Sequence, residues 1–457
     1  MFQVLPAAVP LPLYASAGSR TVEQHALARR PQLMEEAGLA VAKLALALYA
    51  ARGGRGGIWI ACGPGNNGGD GRVAALHLTA LGLPVCTDDT PPADTSLVVD
   101  ALFGLGLTRA IEGTWAERIA RINALAASGQ ACVLAIDIPS GIDCDRGQPL
   151  GTAVHADHTL ALLTLKPGLL TGVGRAHVGT LWFDTLDETP SQPADAMLIG
   201  RSALDAWLTR DALAHKGTQG DVQVVAGSMP GASRLAARAA LAAGAGRVFT
   251  EVDDALRPEL LHWDGRALAT VVAGCGGGPL IATRLPALLE HAPRLVLDAD
   301  ALNAVSQDAA LAAQLQARTL PTLLTPHPLE AARLLADSVA SVQADRLGAA
   351  QALARTYRCT VVLKGSGSVI AVPGRTPAIN GSGGPALATP GSGDVLAGWS
   401  AGLWAQRPEF DPIEIACAAV HWHGLAGDTQ AHGPLRAADL IERMHALDPA
   451  SGVVPST

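Results

Sequence analysis

The feature that most constrains the fold of this chain is an alternation of short apolar runs with longer stretches of helical pattern. In the first half, the apolar runs that predict strands are residues 58–62, 97–100, 132–138, 158–164 and 178–183. Helices are predicted between them over 71–81 and 115–127. Strands that alternate with helices form βαβ units, so we predict a parallel sheet with helices on both faces.

The second half of the chain repeats this pattern. Its predicted strands are residues 221–226, 269–273, 294–298, 360–363 and 368–372, and its predicted helices are 232–244, 329–336, 344–356 and 394–405. A polar, proline-bearing stretch over 187–200 separates the halves and indicates a boundary near 190–215. We therefore predict two α/β domains, over residues 1–200 and 205–450.

Composition and charge narrow the classes of partner. The 457 residues are 49% hydrophobic, carry a formal net charge of -8 and contain no run of five or more lysines or arginines. Neither a nucleic-acid backbone nor an anionic membrane would therefore find a basic patch to bind. The seven cysteines include no CxxC pair, which indicates reduced thiols rather than a disulfide framework or a zinc site.

Two apolar stretches near the N-terminus help to predict where in the cell the protein is located. The first 17 residues contain three prolines and no basic residue, which argues against a signal peptide. Residues 33–51 interrupt their apolar pattern with Glu35, Glu36 and Lys43, which predicts an amphipathic core helix rather than a membrane span. We expect a cytoplasmic protein that forms a homo-oligomer and has no nucleic-acid or membrane partner.

A glycine-rich loop, GPGNNGGDG over residues 63–71, directly follows the strand predicted at 58–62. Backbone N–H groups at such a turn, together with the N-terminus of the next helix, favour an anionic group such as a phosphate. Gly68 and Gly69 would let the backbone approach a ligand closely, while Asn66, Asn67 and Asp70 offer polar side chains. The spacing is not the dinucleotide pattern GxGxxG, so the loop alone fits a tight turn equally well.

Two further strand ends carry polar groups. The run VVDALFGLGL over 98–107 ends a strand with Asp100, and AIDIPSGID over 135–143 ends another with Asp137, followed by Ser140. A single aspartate here could be a turn or capping residue. Ligands of open α/β sheets bind beyond the carboxyl ends of the strands, so three such ends together indicate a ligand site.

These stretches, with TLKPGLLTG over 164–172, resemble the NAD(P)H-hydrate epimerase family in order and spacing, over about residues 20–190. The resemblance implies a Rossmann-like three-layer α/β/α domain that interconverts the epimers of the hydrated cofactors NADHX and NADPHX, together NAD(P)HX. It implies a catalytic Asp137 facing the reacting ring, and it implies a bound potassium ion held by the hard oxygen donors of Asn67, Asp100 and Ser140. The substrate-binding residues that it implies are Asn66, Asn67, Gly68, Gly69, Asp70, Gly104, Leu105, Gly106, Leu107, Thr108, Arg109, Ala110 and Asp137.

In the second half, ATPGSGDVLAGWSAG over 388–402 carries a different chemistry. Gly391, Ser392 and Gly393 precede Asp394 at the predicted start of an apolar helix. Backbone N–H groups there would face a transferring phosphoryl group, and the carboxylate could take a proton from an attacking hydroxyl. In isolation, the same pattern also fits an aspartate that caps a helix.

Six stretches of this half resemble the ADP/ATP-dependent NAD(P)H-hydrate dehydratase family over about 205–446: HKGTQGDVQVVAGS, GASRLAARAALAAGAGRV, LDADALN, LTPHPLEAARLL, VLKGSGSVIA and ATPGSGDVLAGWSAG. The resemblance implies a ribokinase-like α/β/α fold, Mg²⁺, and ADP or ATP as co-substrate. It implies the catalytic base Asp394, which with Ala232, Gly276 and His327 would contact NAD(P)HX. The nucleotide-binding residues that it implies are Lys364, Gly365, Ser366, Gly367, Ser368 and Gly393.

One stretch departs from the family pattern. VAGCGGGP over 272–279 stands where the family usually shows Gly-Pro-Gly-Leu-Gly, and the loss of that proline changes the rigidity of the loop that contains Gly276. His421 and His423 are two residues apart on a predicted helix and so lie on different faces, which argues against a shared metal. His155 and His158 are three apart but have no third ligand nearby in sequence, so we predict structural roles for both pairs.

Taken together, the motifs predict a bifunctional enzyme that epimerises NAD(P)HX and dehydrates its S form, converting ADP to AMP and phosphate or using ATP. Two alternatives remain at the level of sequence. One is a sugar or vitamin kinase fused to a nucleotide-binding regulatory domain, and the other is a non-catalytic NAD(P)HX-binding scaffold. The paired epimerase motifs argue against the first, and the intact Asp394 argues against the second.

Overall fold

A computed structural model describes residues 1–265, 270–430 and 432–447. The chain divides into two compact units. The first comprises Met1–Pro6 and Leu11–Met197, and the second comprises Ala7–Pro10 and the chain from Leu198 onward.

The first unit is built around a mainly parallel sheet. The strands of this sheet are β1 (Phe2–Gln3), β3 (Gly57–Cys62), β4 (Val85–Cys86), β5 (Thr95–Ala101), β6 (Cys132–Ile136), β7 (His158–Leu162) and β8 (Thr180–Asp184). Two short strands, β2 (Leu11–Leu13) and β9 (Ala196–Leu198), are not part of it. The helices of this unit are α1 (Ser16–Arg29), α2 (Leu33–Ala51), α3 (Asn66–Ala80) and α4 (Gly113–Ala127). The sheet order is β1-β8-β7-β6-β5-β3-β4, with parallel pairing from β8 to β4 and an antiparallel β1 at the edge.

Alternate side chains of β3 explain why helices cover both faces of this sheet. Ile58 and Ile60 are buried against α2 and α3, whereas Trp59 is buried in a separate cluster with Ile119 and Ile122 of α4. Because successive strand residues point to opposite faces, an apolar run of this kind needs cover on both sides. The result is a three-layer α/β/α unit.

The second unit has the same layering. Its strands are β10 (Asp221–Val225), β11 (Arg247–Thr250), β12 (Leu261–His262), β13 (Thr270–Ala273), β14 (Arg294–Leu297), β15 (Thr322–Leu324), β16 (Thr360–Leu363), β17 (Val369–Ala371) and β18 (Ala378–Ile379). Its helices are α5 (Pro230–Ala242), α6 (Ile281–His291), α7 (Asp300–Gln307), α8 (Ala309–Ala317), α9 (Pro328–Leu335), α10 (Val339–Ala344), α11 (Arg346–Tyr357), α12 (Ser392–Gln406), α13 (Pro412–Asp428) and α14 (Ala437–Ala446).

These strands lie in the order β12-β11-β10-β13-β14-β15-β16-β17-β18. Pairing is parallel from β12 to β16 and antiparallel from β16 to β18. One buried cluster joins the sheet to α5, α12 and α13, and a second joins its other face to α6, α7, α9 and α11. The carboxyl ends of β13, β14, β15 and β16 therefore share one edge of the sheet.

Most predicted elements are present, with shifted ends. The helix predicted over 33–51 is confirmed as α2, but the helix predicted to begin near Gly71 begins at Asn66. Glycine is a poor helix former, yet these glycines permit close packing: a Cβ on Gly71 would overlap the side chain of Ala101. The strand predicted over 269–273 is β13, and residue 269 lies outside the described residues. Among the helices described, none is both long and apolar enough to cross a bilayer.

One short segment of the N-terminal region, residues 7–10, belongs to the second unit, although the residues on both sides of it belong to the first. Within the second unit, Arg201 N donates a hydrogen bond of 2.8 Å to Ala7 O, and Ser202 N donates one of 3.0 Å to Ala8 O. Ile199 and Leu204, which flank these residues, are buried in the core of the second unit. A domain beginning at residue 205 would lack all of these contacts.

We therefore predict that a fragment of residues 198–457 is more stable than one of residues 205–457. Burial of one leucine or isoleucine contributes about 1.5–3 kcal/mol, and the longer fragment keeps both Ile199 and Leu204. Thermal unfolding followed by circular dichroism should give a higher midpoint for the longer fragment. Leu204→Ala in the full chain should also destabilise, by about 2–5 kcal/mol. Equal midpoints for the two fragments would contradict the expectation.

Candidate functional site

A cleft of about 560 Å³ lies in the first unit, beyond the carboxyl ends of β3, β5 and β6. Most of the residues that the sequence singled out lie around it. The predicted residues that line the cleft are Asn66, Asn67, Asp70, Gly104, Leu105, Gly106, Leu107 and Asp137. The strand-end prediction is thus supported by one shared cavity, because parallel strands bring distant segments to the same edge.

The structure puts five other predicted residues elsewhere. Gly68 and Gly69 are helical and do not line the cleft: a Cβ on Gly68 would overlap Gly63 O, and one on Gly69 would lie 2.8 Å from Met34 Sδ. Their bare Cα atoms permit close packing of protein on protein, and contact of Gly68 and Gly69 with a ligand stays a prediction. Thr108, Arg109 and Ala110 also lie outside the lining of the cleft, and a Cβ on Gly151 would be 3.5 Å from that of Ala110.

Helix α1 supplies cleft residues that sequence reasoning missed. Arg20 donates a 2.9 Å hydrogen bond to Leu105 O, and Glu23 accepts one of 2.9 Å from the Asn66 amide. Both side chains line the cleft, although they lie more than 40 residues before the motifs that they contact. No local pattern could have revealed them, because only the tertiary fold brings α1 to the strand ends.

Asp137 and Lys166 form an ion pair at the floor of this site. Asp137 follows β6 with φ of +65°, a left-handed conformation that is uncommon outside glycine but enriched in aspartate. Lys166 is fully buried and donates hydrogen bonds to Asp137 Oδ1 and, at 3.1 Å, to Leu162 O. The sequence did not single out Lys166; its signal is a lone lysine in an apolar stretch.

The carboxyl group of Asp70 also lies at the cleft, in an electrostatic environment that differs from that of Asp137. Burial, followed by the negative charges of Asp137 and Glu23, raises the pKa of Asp70 to about 8. At neutral pH, Asp70 is therefore mainly protonated, while Asp137 is paired with an ammonium group. One site thus holds a proton donor and a carboxylate, a division that acid–base chemistry commonly uses.

Asp100, Ser140 and Asn67 are the predicted cation ligands. Asp100 is fully buried and accepts hydrogen bonds from Ser140 N at 2.8 Å and Ser140 Oγ at 2.6 Å. Burial raises the pKa of Asp100 to about 6, although those hydrogen bonds oppose the rise. Asn67 lies beside Gly104, and its buried amide Nδ2 has no hydrogen-bond partner among the described residues.

The site of the second unit lies at the carboxyl ends of β13 to β16. Lys364, directly after β16, donates a 2.6 Å hydrogen bond to Asp298 Oδ1, directly after β14. Thr325 Oγ1, directly after β15, donates to the same oxygen at 2.8 Å. Burial tends to lower the pKa of Lys364, but the carboxylates of Asp298 and Glu330 outweigh it and raise that pKa.

His327 and Glu330 sit at the start of α9 in a reciprocal capping arrangement. The His327 ring accepts hydrogen bonds from Leu329 N and Glu330 N, and Glu330 Oε2 accepts one of 2.7 Å from His327 N. Burial raises the pKa of Glu330 to about 7, against the opposing charge of Lys364, whose Nζ lies 4.0 Å from Glu330 Oε2. Capping thus fixes the predicted His327 beside the Lys364–Asp298 pair.

Asp394 lies in the first turn of α12, and the cap of this helix is Gly391, with φ of +89°. No side chain caps the helix, so the alternative role of Asp394 as a cap is excluded. Ligand atoms of Asp394, Asp298 and Cys275 lie within 4.8 Å of one another. Burial and then the charge of Asp298 raise the pKa of Asp394 to about 6, which leaves the carboxylate largely ionised at neutral pH.

The glycine loops around Asp394 bring the other predicted residues together. A Cβ on Gly276, which has φ of +66°, would lie 3.0 Å from the Cβ of Ala232 and would overlap Met229 O. A Cβ on Gly393 would be 3.1 Å from Lys364 Nζ. Arg346, buried and unassigned by sequence, donates 3.2 Å hydrogen bonds to Leu363 O and Lys364 O and so supports the loop Lys364 to Ser368.

Two family models match the chain: the YjeF-related protein N-terminus over residues 30–88 and 85–168, and NAD(P)H-hydrate dehydratase over residues 265–445. The bifunctional NAD(P)H-hydrate repair enzymes of Leishmania braziliensis and Escherichia coli strain K12 are 35% and 33% identical to it. Those alignments cover 93% and 81% of this chain and 90% and 80% of the two relatives. The chain belongs to the bifunctional NAD(P)H-hydrate repair enzyme family.

Membership of this family confirms the resemblances that the motifs predicted. The structure confirms the predicted fold class, because each of the two units is an α/β domain with helices on both faces of its sheet. Among solved structures, the ADP/ATP-dependent NAD(P)H-hydrate dehydratase of Bacillus subtilis, co-crystallized with ATP and Mg²⁺, is similar with 27% identity and a TM-score of 0.47. That similarity covers 54% of this chain and 95% of the Bacillus subtilis chain.

The histidine pairs have the structural surroundings expected of them. His423 of α13 is neutral, because burial lowers its pKa to about 4, and its Nε2–H donates to Ser392 O at 3.0 Å. His421 bonds to Asn380 and Ser382, and His155 stacks on His177 with ring centroids 3.8 Å apart. The contact from His423 also supports the start of α12, a link that sequence alone did not reveal.

We predict that Asp70→Asn changes how stability depends on pH. With a folded-state pKa of about 8 and an ordinary value of about 3.9, the stability from protonated Asp70 is full below pH 4 and is lost as pH rises through 8. Asparagine stays neutral, so the unfolding midpoint of the variant should rise relative to wild type between pH 4 and 8. Thermal unfolding across that window, with the exposed Asp88→Asn as control, measures this. If the difference in unfolding midpoint between Asp70→Asn and wild type stays constant from pH 4 to 8, the expected contribution of protonated Asp70 to stability is absent.

Proposed function

We propose that this chain repairs NAD(P)HX in two steps, an epimerase over residues 1–200 and an ADP- or ATP-dependent dehydratase over residues 205–450. The observation that carries the proposal is the position of Asp394. Its carboxylate lies at the glycine-rich start of α12, does not cap that helix, and is within 4.8 Å of the Asp298 carboxylate. Family membership supports both halves. Residues 448–450 of the second domain lie outside the described residues.

In the proposed dehydratase, Asp394 accepts the proton of the C6 hydroxyl of S-NAD(P)HX while that oxygen attacks the terminal phosphorus of the nucleotide. The phosphoryl group transfers to the substrate oxygen and leaves AMP from ADP, or ADP from ATP. Loss of the C5 proton then supplies the electron pair for the C5–C6 double bond as phosphate departs. A base with a pKa of about 6 is ionised at neutral pH, which suits the first step.

The other proposed residues hold the two substrates in this geometry. Lys364 and the loop to Ser368, together with Gly393, would bind the nucleotide phosphates through an ammonium group and backbone N–H groups. Ala232, Gly276 and His327 would contact NAD(P)HX. The carboxylates of Asp298 and Glu330 are hard oxygen donors beside that loop and would hold Mg²⁺, which neutralises phosphate charge when bound.

In the proposed epimerase, the cleft would bind NAD(P)HX with Asp137 at the reacting ring. Asn66, Asn67, Asp70 and the residues Gly104 to Leu107 would provide the contacts, as the lining of the cleft supports. Contacts from Gly68, Gly69 and Thr108 to Ala110 stay predictions, as do the cytoplasmic location and the homo-oligomer.

Potassium fits the residues available to hold it. Asp100 is a fully buried carboxylate that bonds to neutral donors of Ser140 and Leu102, so its charge is compensated by no cation among the described residues. The buried amide of Asn67 has an unpartnered atom, and an amide can be turned to present oxygen there. With Ser140 Oγ, these are the oxygen donors that an alkali cation accepts.

We predict that Asp394→Asn lowers dehydratase turnover by about 10²–10⁴-fold, because it removes the proton acceptor. The full chain is mixed with the NADHX epimers and ADP or ATP, and NADH absorbance is followed. Epimerisation should continue at the wild-type rate, which provides an internal control for folding. The exposed Asp205→Asn is the matched control variant and should keep wild-type turnover. Near-normal dehydration by Asp394→Asn would overturn the mechanism, and wild type that makes no NADH would overturn the function.

We also predict that Asn67→Ala slows epimerisation and that added potassium partly restores the rate, because one oxygen ligand is lost and the ion binds more weakly. A large organic cation at equal ionic strength should not restore it. Asn66→Ala is the matched control for the ion alone: its amide bonds to Glu23 and is no proposed potassium ligand, so its response to potassium should be that of wild type even if substrate binding weakens. Interconversion of the epimers, separated by chromatography, is measured against potassium concentration. If wild type and Asn67→Ala respond identically, potassium has no place in this site.

A further inference from the structure

Lys166 is a fully buried charged group next to the cleft of the first unit. Its side chain is 1% exposed, yet it follows β7 in an apolar stretch whose other side chains pack into the core. Burying an ammonium group is costly unless a charged partner and hydrogen bonds compensate it. Its partners are Asp137 and the carbonyl of Leu162. A cation kept there at such cost points to a role at the cleft.

The geometry of Asp137 shows what this lysine does. Oδ1 of Asp137 accepts hydrogen bonds from Lys166 Nζ and, at 3.1 Å, from Leu162 N. Oδ2 has no hydrogen-bond partner among the described residues, and the side chain is 13% exposed at the cleft. The backbone of Asp137 is itself held in place, since its N donates to Leu160 O at 2.7 Å. One oxygen is therefore fixed by the protein, and the other is left for a ligand.

The other charged and titratable groups near this pair make the lysine more important. Asp70 of α3 faces Asp137 from across the cleft, and Glu23 of α1 acts on Asp70 in turn. Cys144 lies near Lys166, and burial raises the pKa of its thiol well above its usual range, so it is neutral. Lys166 is thus the cation that offsets the negative charge of Asp137.

We propose that Lys166 is a positioning residue of the epimerase site: its ammonium group holds Oδ1 of Asp137, so that the free oxygen Oδ2 is aimed at the substrate. This inference rests on the proposed epimerase function. Lys166 does not line the cleft, so it acts through Asp137 and not by contact with NAD(P)HX.

The test measures epimerisation by the full chain from pH 5 to 9 for wild type, Lys166→Met, Asp137→Asn and the double variant. Methionine matches the length of lysine and removes its charge. In Lys166→Met, kcat should fall by about 10²-fold at neutral pH with a much smaller change in KM. The pH of half-maximal rate on the acid limb should rise. In the Asp137→Asn background, Lys166→Met should cause little further loss, because the lysine acts through that carboxylate. The exposed Lys43→Met is the matched control.

The outcomes separate this inference from the proposed function. Wild type that does not interconvert the epimers overturns the epimerase itself. If wild type is active, two results overturn the positioning role. One is that Lys166→Met lowers the rate equally at all pH values. The other is that Lys166→Met lowers the rate of Asp137→Asn by the same factor as it lowers the rate of wild type. Should Lys166→Met fail to fold by circular dichroism, Lys166→Gln keeps N–H donors without charge and should show the same shift of the acid limb. An unshifted limb in that variant also overturns the proposal.

Discussion

Parallel pairing of fully buried strands is the constraint on which both sites depend. Apolar runs such as Ile58–Ala61 must be covered on both faces, and central strands such as β3 and β5 pair parallel, so their carboxyl ends lie at the same edge of the sheet. Polar residues that end these runs then meet at one edge. Asp100 and Ser140 come together in this way in the first unit, and Asp298 and Lys364 do so in the second.

A second common feature is the pairing of buried charges at those edges. Lys166 with Asp137 and Lys364 with Asp298 each combine an almost fully buried group with an opposite charge and backbone or hydroxyl partners. Unpaired, such groups would destabilise the fold by several kcal/mol. At the same edges, burial and neighbouring negative charges raise the pKa of Asp70 to about 8 and that of Asp394 to about 6. Acid–base chemistry at neutral pH requires groups of this kind.

Much of the fold and of the sites could be predicted from local pattern. Alternating runs gave the strands of both sheets, and GPGNNGGDG and ATPGSGDVLAGWSAG marked two helix starts because glycine, asparagine and aspartate carry specific backbone and ligand chemistry. Very short strands, such as β11 and β15, gave too little periodicity to be recognised. The start of α3 was misplaced, because glycine suits a helix only where another segment packs closely against it.

The sequence by itself determined the two α/β domains, the family and the strand ends at which polar groups meet, since all three are encoded in short contiguous patterns. Only the tertiary structure decided which partners those groups have. Lys166 lies 29 residues from Asp137, and Glu23 lies 43 residues from Asn66. The close packing of Gly68 on Gly63 was likewise decided by the tertiary structure. The reason is physical: burial and charge pairing depend on distances in space, which a linear pattern does not record.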